Sequence, residues 1–335
     1  MLKNKKLMIN IVIIGCGQIG SRHLQGLSEI KNGANIYLVD TSAQSIKTAK
    51  DRFEEVINHN ESIKFQIKVS EINQIIDDID VAIIATSSLI RASVTKKLLS
   101  YVTVKNIIFE KFLFQNRFEY ADINNLLKEK KIKAWVNQWW SSSVGFIEMA
   151  KWFRNDIQEV HIEGKNWGLA CNSVHYVEYF DVITGMGKLT VKEINLDNKV
   201  IESKRPGYFE LTGSLSIESE TGVLLHLKCV HEKKLGNNKL MNIRIKGKGR
   251  HLEASLVNQV LKCDYHDDLS EGSFKEYATP KQSKMTGSII EAIYSNNNCN
   301  LPTYEQSVKQ HLVLFDCFEG IFKKQLKLNG SCPIT

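Results

Sequence analysis

The sequence predicts an α/β chain in two parts: an N-terminal doubly wound parallel sheet, and a C-terminal α+β part with a mostly antiparallel open sheet. Three observations predict this. An apolar, β-branched run over 8–14 breaks into Gly15-Cys16-Gly17-Gln18-Ile19-Gly20 and then continues with helical periodicity. Short apolar runs alternate with helical patterns up to about residue 135, the rhythm of βαβ units. After Glu159 the pattern changes to longer alternating segments, separated by turns such as Glu220-Thr221-Gly222 and 235–238, as antiparallel sheets require.

Taken in order, the first part has predicted strands at 10–14, 36–39, 63–68, 81–85, 106–109 and 134–137. Between them lie predicted helices at 21–30, 43–58, 72–77, 90–101 and 118–130, and a helix over 144–155 leads out. The second part has predicted strands at 159–164, 189–196, 208–218, 223–231, 241–247, 251–255, 259–265 and 274–277, closed by helices over 281–296 and 303–324. A length of 335 residues exceeds one ordinary core. The expected division is 1–137 and 138–335.

The glycine segment is a dinucleotide-binding fingerprint when strand, glycines, helix and a spaced acid occur together, so the first part reads as a Rossmann domain. Gly15 permits the tight turn out of the strand, Gly17 lets backbone approach a pyrophosphate, and Gly20 lets the helix pack close to the sheet. Gln18 and Ile19 complete the loop beside the phosphates. The helix N-terminus offers unpaired N–H groups and partial positive charge. Asp40 follows Gly20 by twenty residues, at the end of the second strand. It would accept from the adenine-ribose hydroxyls and repel a 2′-phosphate. No arginine directly follows it, so NAD is favoured over NADP.

Composition bounds the rest. Apolar content is 43% and charged content 24%, within the range of globular enzymes. The net charge of +7 is spread along the chain; its tightest groups are Lys3/Lys5/Lys6 and Lys128/Lys130/Lys131/Lys133. These read as solvated faces, and no motif supports nucleic-acid binding. The seven cysteines are scattered and lack C-x-x-C pairs, which argues against a disulfide framework or a zinc site; no metal is expected, and a reducing, cytoplasmic setting is. The N-terminal lysines before 7–14 mimic a secretory signal, and 13–16 a lipoprotein box. The same residues, however, form the first strand and its phosphate turn. No apolar run reaches the roughly 18 residues of a membrane span.

Further along, Ala85-Thr86 ends the fourth strand, and Glu110-Lys111 leaves the fifth at its carboxyl end, where open α/β sheets place ligands. The segment Asn166-Trp167-Gly168-Leu-Ala-Cys171-Asn172-Ser-Val-His175-Tyr-Val-Glu178 follows in the second part. In this order the motifs resemble the family of glucose–fructose oxidoreductases and inositol dehydrogenases (Gfo/Idh/MocA), whose members carry a Glu-Lys-Pro motif and a helix beginning with H-x-x-D. The resemblance covers nearly the whole chain.

It implies an NAD(P)-dependent oxidoreductase that moves hydride between nicotinamide and a secondary alcohol or ketone of a sugar-like substrate. Lys111 would stand beside the reacting carbon, Glu110 would position ribose and lysine, and Ala85 and Thr86 would line the cofactor. His175 would be the general acid/base, a role suited to an imidazole, whose ordinary pKa is about 6.5. Asn172, Trp167 and Asn137 are candidate substrate contacts. A homodimer or homotetramer is implied through the sheet of the second part. Similar Asn-Trp-Gly and Cys-Asn patterns occur in family members of bacterial surface-sugar synthesis.

Phe112 stands where the family has proline, Ser87 where another proline is common, and Cys171 where many members have Asp or Asn. Two other readings share these motifs: an NAD-dependent glycoside hydrolase or epimerase-like enzyme that oxidises its substrate transiently, and a non-catalytic dinucleotide-binding protein.

Overall fold

The computed structural model describes residues 8–57, 64–153, 156–232 and 240–335. Expectations touching Lys3–Lys6, residue 7, residues 58 and 63, residues 154–155 and the 235–238 turn lie outside them. The chain divides into two units. The first holds residues up to Phe114, Glu119–Asn137 and Pro280–Tyr304; the second holds Gln115–Phe118, Gln138–Thr279 and Glu305–Thr335.

In the first unit, β1 (Ile9–Ile14), β2 (Ala34–Val39), β3 (Phe65–Val69), β4 (Ile79–Ile84), β5 (Val104–Phe109) and β6 (Lys133–Val136) form a parallel sheet of order β3-β2-β1-β4-β5-β6. Ile11, Val12, Ile13, Val81, Ala82 and Ile83 are fully buried, as expected of central strands covered on both faces. The connecting helices are α1 (Gln18–Leu27), α2 (Ala43–Glu54), α3 (Ser88–Tyr101) and α4 (Arg117–Glu129). Ser42 caps α2 by accepting from the Ser45 amide at 3.1 Å. Strand order reverses between β1 and β4, so the carboxyl ends of these neighbours make the switch-point crevice of doubly wound sheets.

The expected helix over 72–77 is a single 3₁₀ turn, Ile72–Gln74, closed by a reciprocal capping box between Glu71 and Gln74. Ile75 is already extended, and one turn is too short to propagate a helix.

In the second unit come α5 (Val144–Phe153), β7 (Ile157–Lys165), α6 (Leu169–Ile183), β8 (Leu189–Leu196), β9 (Ile201–Glu202), β10 (Phe209–Glu210), β11 (Gly213–Ser219), β12 (Leu224–Val230), β13 (Leu240–Gly247), β14 (Arg250–Val257), β15 (Val260–Asp267) and β16 (Ser270–Ala278). The eight-stranded sheet runs β16-β15-β14-β13-β7-β12-β11-β8. Its pairs are antiparallel except β7–β12. Val160, Ile162, Leu225, Leu227, Ile243 and Ile245 share its buried face; polar residues alternate onto the other.

The strand expected over 208–218 is broken. β10 pairs with β9 in a separate ribbon, and β11 starts at Gly213. Gly213 has φ +107°, and a Cβ there would lie 2.3 Å from the Asn195 carbonyl oxygen, so only glycine makes this corner.

Two helices close the chain, α7 (Gln282–Asn296) and α8 (Tyr304–Leu326). Residues 280–304 return to the first unit because α7 packs on α1 where both carry glycine. A Cβ on Gly287 would meet the Gly26 carbonyl oxygen at 2.7 Å and the Glu29 Cβ at 2.9 Å. Gly287→Ala is therefore expected to force the helices apart and cost about 1–3 kcal/mol, read as a lowered denaturation midpoint; an unchanged midpoint would contradict this contact.

Candidate active site

The sequence motifs of the first unit form one row. Past the ends of the strands the ladder continues: Gly15 N–H donates to the Val39 carbonyl at 2.8 Å, Ala85 to Ile14 at 2.8 Å, Glu110 to Ile84 at 3.2 Å and Asn137 to Phe109 at 2.8 Å. Gly15, Ala85, Glu110 and Asn137 thus stand at adjoining carboxyl ends.

Each glycine is explained by its surroundings. At φ +91°, a Cβ on Gly15 would lie 2.9 Å from the Ala85 carbonyl carbon and the Thr86 amide, and one on Gly20 would lie 1.8 Å from the Gly15 oxygen. Among the described residues nothing stands within 4 Å of a Cβ built on Gly17. Gly17 is also the N-cap of α1, which has no side-chain cap and no acid in its first turn, so amide dipoles face open space where an anion gains most. Asp40 braces this loop: Oδ2 accepts from the Cys16 amide at 2.6 Å and Oδ1 from the Ser42 amide at 2.7 Å. The Thr86 hydroxyl and the Asn137 side-chain oxygen are buried and lack a hydrogen-bond partner among the described residues. Open space at Gly17, the uncapped helix and these two polar atoms fit a dinucleotide. Gln18 is exposed and Ile19 partly so. Arg52 of α2, which sequence reasoning missed, donates to Gln18 Oε1 at 3.2 Å and to Ser21 Oγ, placing a guanidinium beside the same helix start.

Glu110 is only 5% exposed. His23 Nε2 lies 2.8 Å from its Oε1, which also accepts from Asn137 Nδ2. Burial opposes ionisation of Glu110, but the His23 hydrogen bond and charge, the Asn137 hydrogen bond and the Arg91 charge together hold its carboxyl below the usual range. His23 Nδ1 in turn meets Thr286 Oγ1 at 3.0 Å, and Asn137 Nδ2 donates to Gln282 Oε1 at 2.7 Å. Arg91, also missed and 1% exposed, donates to the carbonyls of Thr86, Phe112 and Leu113. It thereby ties the Ala-Thr strand end to the chain after Lys111. The Lys111–Phe112 peptide is cis and Phe112 is fully buried. Lys111 itself is partly exposed.

In the second unit, Gly168 at φ +83° is the N-cap of α6. The Ala170 amide donates to Glu210 Oε2 at 3.0 Å, so a carboxylate occupies this helix start. Cys171 and Asn172 are partly exposed, and the Asn172 amide donates to the Trp167 carbonyl. Trp167 is 2% exposed, its indole N–H donates to the Lys228 carbonyl at 2.8 Å, and its ring meets Tyr176 edge-on. Its ring is a core ring with no face left for stacking on a ligand. Cys171 and Gly168 border a cavity of about 550 Å³ that Glu202, Lys204, Arg205 and Phe209 also line, within the usual range of ligand pockets.

His175 is 8% exposed and stacks on Trp140 at 5.6 Å and 20°. Glu178, one turn on, receives the Ser141 amide at 3.2 Å and the Ser141 hydroxyl. It therefore anchors the 3₁₀ turn Trp140–Ser142 that presents the ring to His175. Gln138 is fully buried and donates to the Val174 carbonyl at 3.0 Å and Gln310 at 3.2 Å. Burial pushes the Glu178 carboxyl up to about 8; Ser141 opposes this and Asp181 adds to it. Lys111 and His175 lie in different units, each held by its own surroundings.

A parallel doubly wound sheet whose glycine loop opens an uncapped helix, with an acid at the end of the second strand, defines a dinucleotide-binding Rossmann unit. Residues 9–138 match the model of an oxidoreductase family with an NAD-binding Rossmann fold, GFO_IDH_MocA. Residues 9–138 are thus similar to this family, in agreement with the resemblance read from the motifs. No curated protein matches the chain significantly.

Among solved structures, the fold is similar to a proposed NADPH-dependent oxidoreductase from Desulfitobacterium hafniense (TM-score 0.72, 11% identity, 95% of this chain and 96% of that one). It is also similar to a UDP-N-acetylglucosamine 3-dehydrogenase from Acidithiobacillus ferrooxidans (0.70, 10%, 93% and 97%). A third is a 3-ketoreductase from Actinomadura kijaniata in complex with NADP and TDP-benzene (0.67, 13%, 92% and 97%).

The raised carboxyl of Glu178 has a consequence for stability. The native state holds this proton more tightly than the unfolded chain, so the contribution is full below about 4.5 and is lost as pH rises towards about 8. Glu178→Gln, which mimics the protonated acid, is expected to flatten the fall in melting temperature across this window; equal slopes in both proteins would refute the assignment.

Proposed function

We propose that the protein oxidises a secondary alcohol, or reduces the matching ketone, of a sugar or sugar derivative with NAD(P), Lys111 and His175 being the catalytic groups. The observation that carries this reading is the placement of Lys111. It follows a carboxylate locked by His23 and Asn137 and precedes carbonyls held by Arg91, so its backbone is fixed at a strand end that borders the dinucleotide loop. Glycine loop, Gln18, Ile19, Ala85 and Thr86 would hold the cofactor, which supplies a hydride acceptor or donor when bound.

In the oxidative direction, an imidazole at His175 takes the hydroxyl proton and the Lys111 ammonium stabilises the oxygen as that proton leaves. In reduction, His175 returns the proton. Trp140 keeps the imidazole oriented, and Asn172, beside the cavity at the start of α6, is the candidate contact to substrate hydroxyls. Glu110 acts by positioning, since its carboxylate is engaged with His23 and Asn137, while Asn137 has its side-chain oxygen to offer the cofactor. The structurally similar UDP-N-acetylglucosamine 3-dehydrogenase supports a sugar-like substrate. The resemblance also implies a homodimer or homotetramer. None of the seven cysteines is disulfide-bonded, which fits a reducing compartment such as the cytoplasm.

Lys111→Ala and His175→Ala are each expected to lower turnover about 10²–10⁴-fold while NADH still binds, as followed by quenching of tryptophan fluorescence; undiminished turnover on an active substrate would overturn the assignment. Because Asp40 places a carboxylate at the end of β2, NADH is expected to bind more tightly than NADPH, and Asp40→Asn to narrow the ratio. Tighter NADPH binding by the unaltered protein would reverse the cofactor preference.

A further inference from the structure

The outer face of the eight-stranded sheet carries a convergence of ligating groups that the oxidoreductase reading leaves unused. Alternation along β7 sends Val160 and Ile162 to the buried face and Glu159 and His161 to the other. Along β12, Leu225 and Leu227 are buried and His226 lies opposite them. β7 and β12 pair in parallel with His161 beside His226, and the two imidazoles stack at 4.6 Å. Glu159 Oε2 lies 3.1 Å from His161 Nε2. One ligand atom from each of Glu159, His161 and His226 lies within 4.8 Å of the others.

We propose that Glu159, His161 and His226 form a binding site for a divalent transition cation, with zinc the best fit. Two imidazole nitrogens and one carboxylate oxygen are a donor set for zinc, cobalt, nickel or copper, whereas calcium and magnesium take oxygen ligands. Strand register fixes the three backbones, so small side-chain rotations draw the atoms to bonds of about 2.0–2.2 Å. Neighbouring groups are arranged to orient the ligands. Ser216 Oγ sits 2.8 Å from His226 Nδ1, which directs Nε2 as the ligating nitrogen, and Glu163 Oε1 lies 3.8 Å from His161 Nδ1. Such outer contacts hold ring orientation and raise ligand basicity.

Lys246 Nζ, 3.3 Å from Glu159 Oε2, competes with the cation for this carboxylate and must move aside when it binds. A cation here clips residues 161 and 226 across the parallel strand pair.

The sheet contains its own control. His251 and His266 also stack across paired strands, at 4.5 Å, but they do not belong to the three-residue cluster. The test is calorimetric titration of the EDTA-treated full chain with zinc chloride alone, with far-UV circular dichroism and NADH binding to confirm that each variant is folded. One equivalent is expected, with affinity at least about tenfold weaker in His161→Ala, His226→Ala and the shape-preserving Glu159→Gln. Affinity should be unchanged in His251→Ala and severalfold tighter in Lys246→Met. Cobalt in place of zinc is expected to give a visible d–d spectrum without a thiolate charge-transfer band. Absence of stoichiometric binding, uptake that survives loss of both His161 and His226 (an adventitious ion only), or a thiolate band would overturn the proposal.

Discussion

The hydrogen-bonded pair of Glu110 and His23 is the contact on which the first unit's site depends. A carboxylate at a strand end would ordinarily face water; this one is buried, where ionisation is unfavourable unless hydrogen bonds and opposite charge replace the solvent. His23, Asn137 and the nearby Arg91 do so. Three chain segments meet at one oxygen, α1 through His23, the end of β5 through Glu110 and the end of β6 through Asn137, and α7 joins them at one remove, Thr286 bonding His23 and Gln282 bonding Asn137. His23 follows the last glycine of the loop by three residues, so the rotation of α1 that aims its amides is set by the same contact that positions the residue before Lys111. The helix that follows the glycine loop and the residue before Lys111 are joined by one polar network.

The second unit solves the corresponding problem for its histidine with aromatic packing. Stacking on Trp140 restricts the His175 ring without spending either nitrogen on the tryptophan. The turn bearing Trp140 is anchored from α6 itself, through Glu178 and Ser141. Here burial raises a carboxyl, whereas in the first unit burial is outweighed and the carboxyl is lowered. The difference lies in the partners: Glu178 accepts from one neutral serine and stands near Asp181, while Glu110 has His23, an amide and a guanidinium. The same residue type is thus pushed in opposite directions by what surrounds it.

Much of the first unit was legible in the sequence because its signals are local. Gly15, Gly17 and Gly20 stand within six residues, and the requirement for glycine is a steric one between neighbours on the chain and the adjoining strand. Buried parallel strands are continuous apolar runs, which periodicity detects. Lys111 and His175 were singled out by the order of motifs. What the sequence did not disclose involves distant partners. His23 carries no local signal of its partner because Glu110 is 87 positions away, and Arg91 carries none because its acceptors are backbone carbonyls. Trp167 reads from the sequence as a candidate substrate contact, although its indole N–H is engaged with the Lys228 carbonyl and its ring with Tyr176.

The sequence by itself determined the alternation of strands and helices, the glycine turn, the spaced acid and therefore the dinucleotide-binding class, since each depends on short-range sterics and on the periods of helix and strand. Only the tertiary structure decided that 280–304 completes the first unit, because helix contact at Gly26 and Gly287 is a matter of backbone approach across the fold. Only it decided that the strand expected over 208–218 breaks at Gly213, where the carbonyl of Asn195 leaves no room for a side chain. Only it brought Glu159, His161 and His226 onto one face, because strand pairing places side by side residues that sequence distance keeps apart.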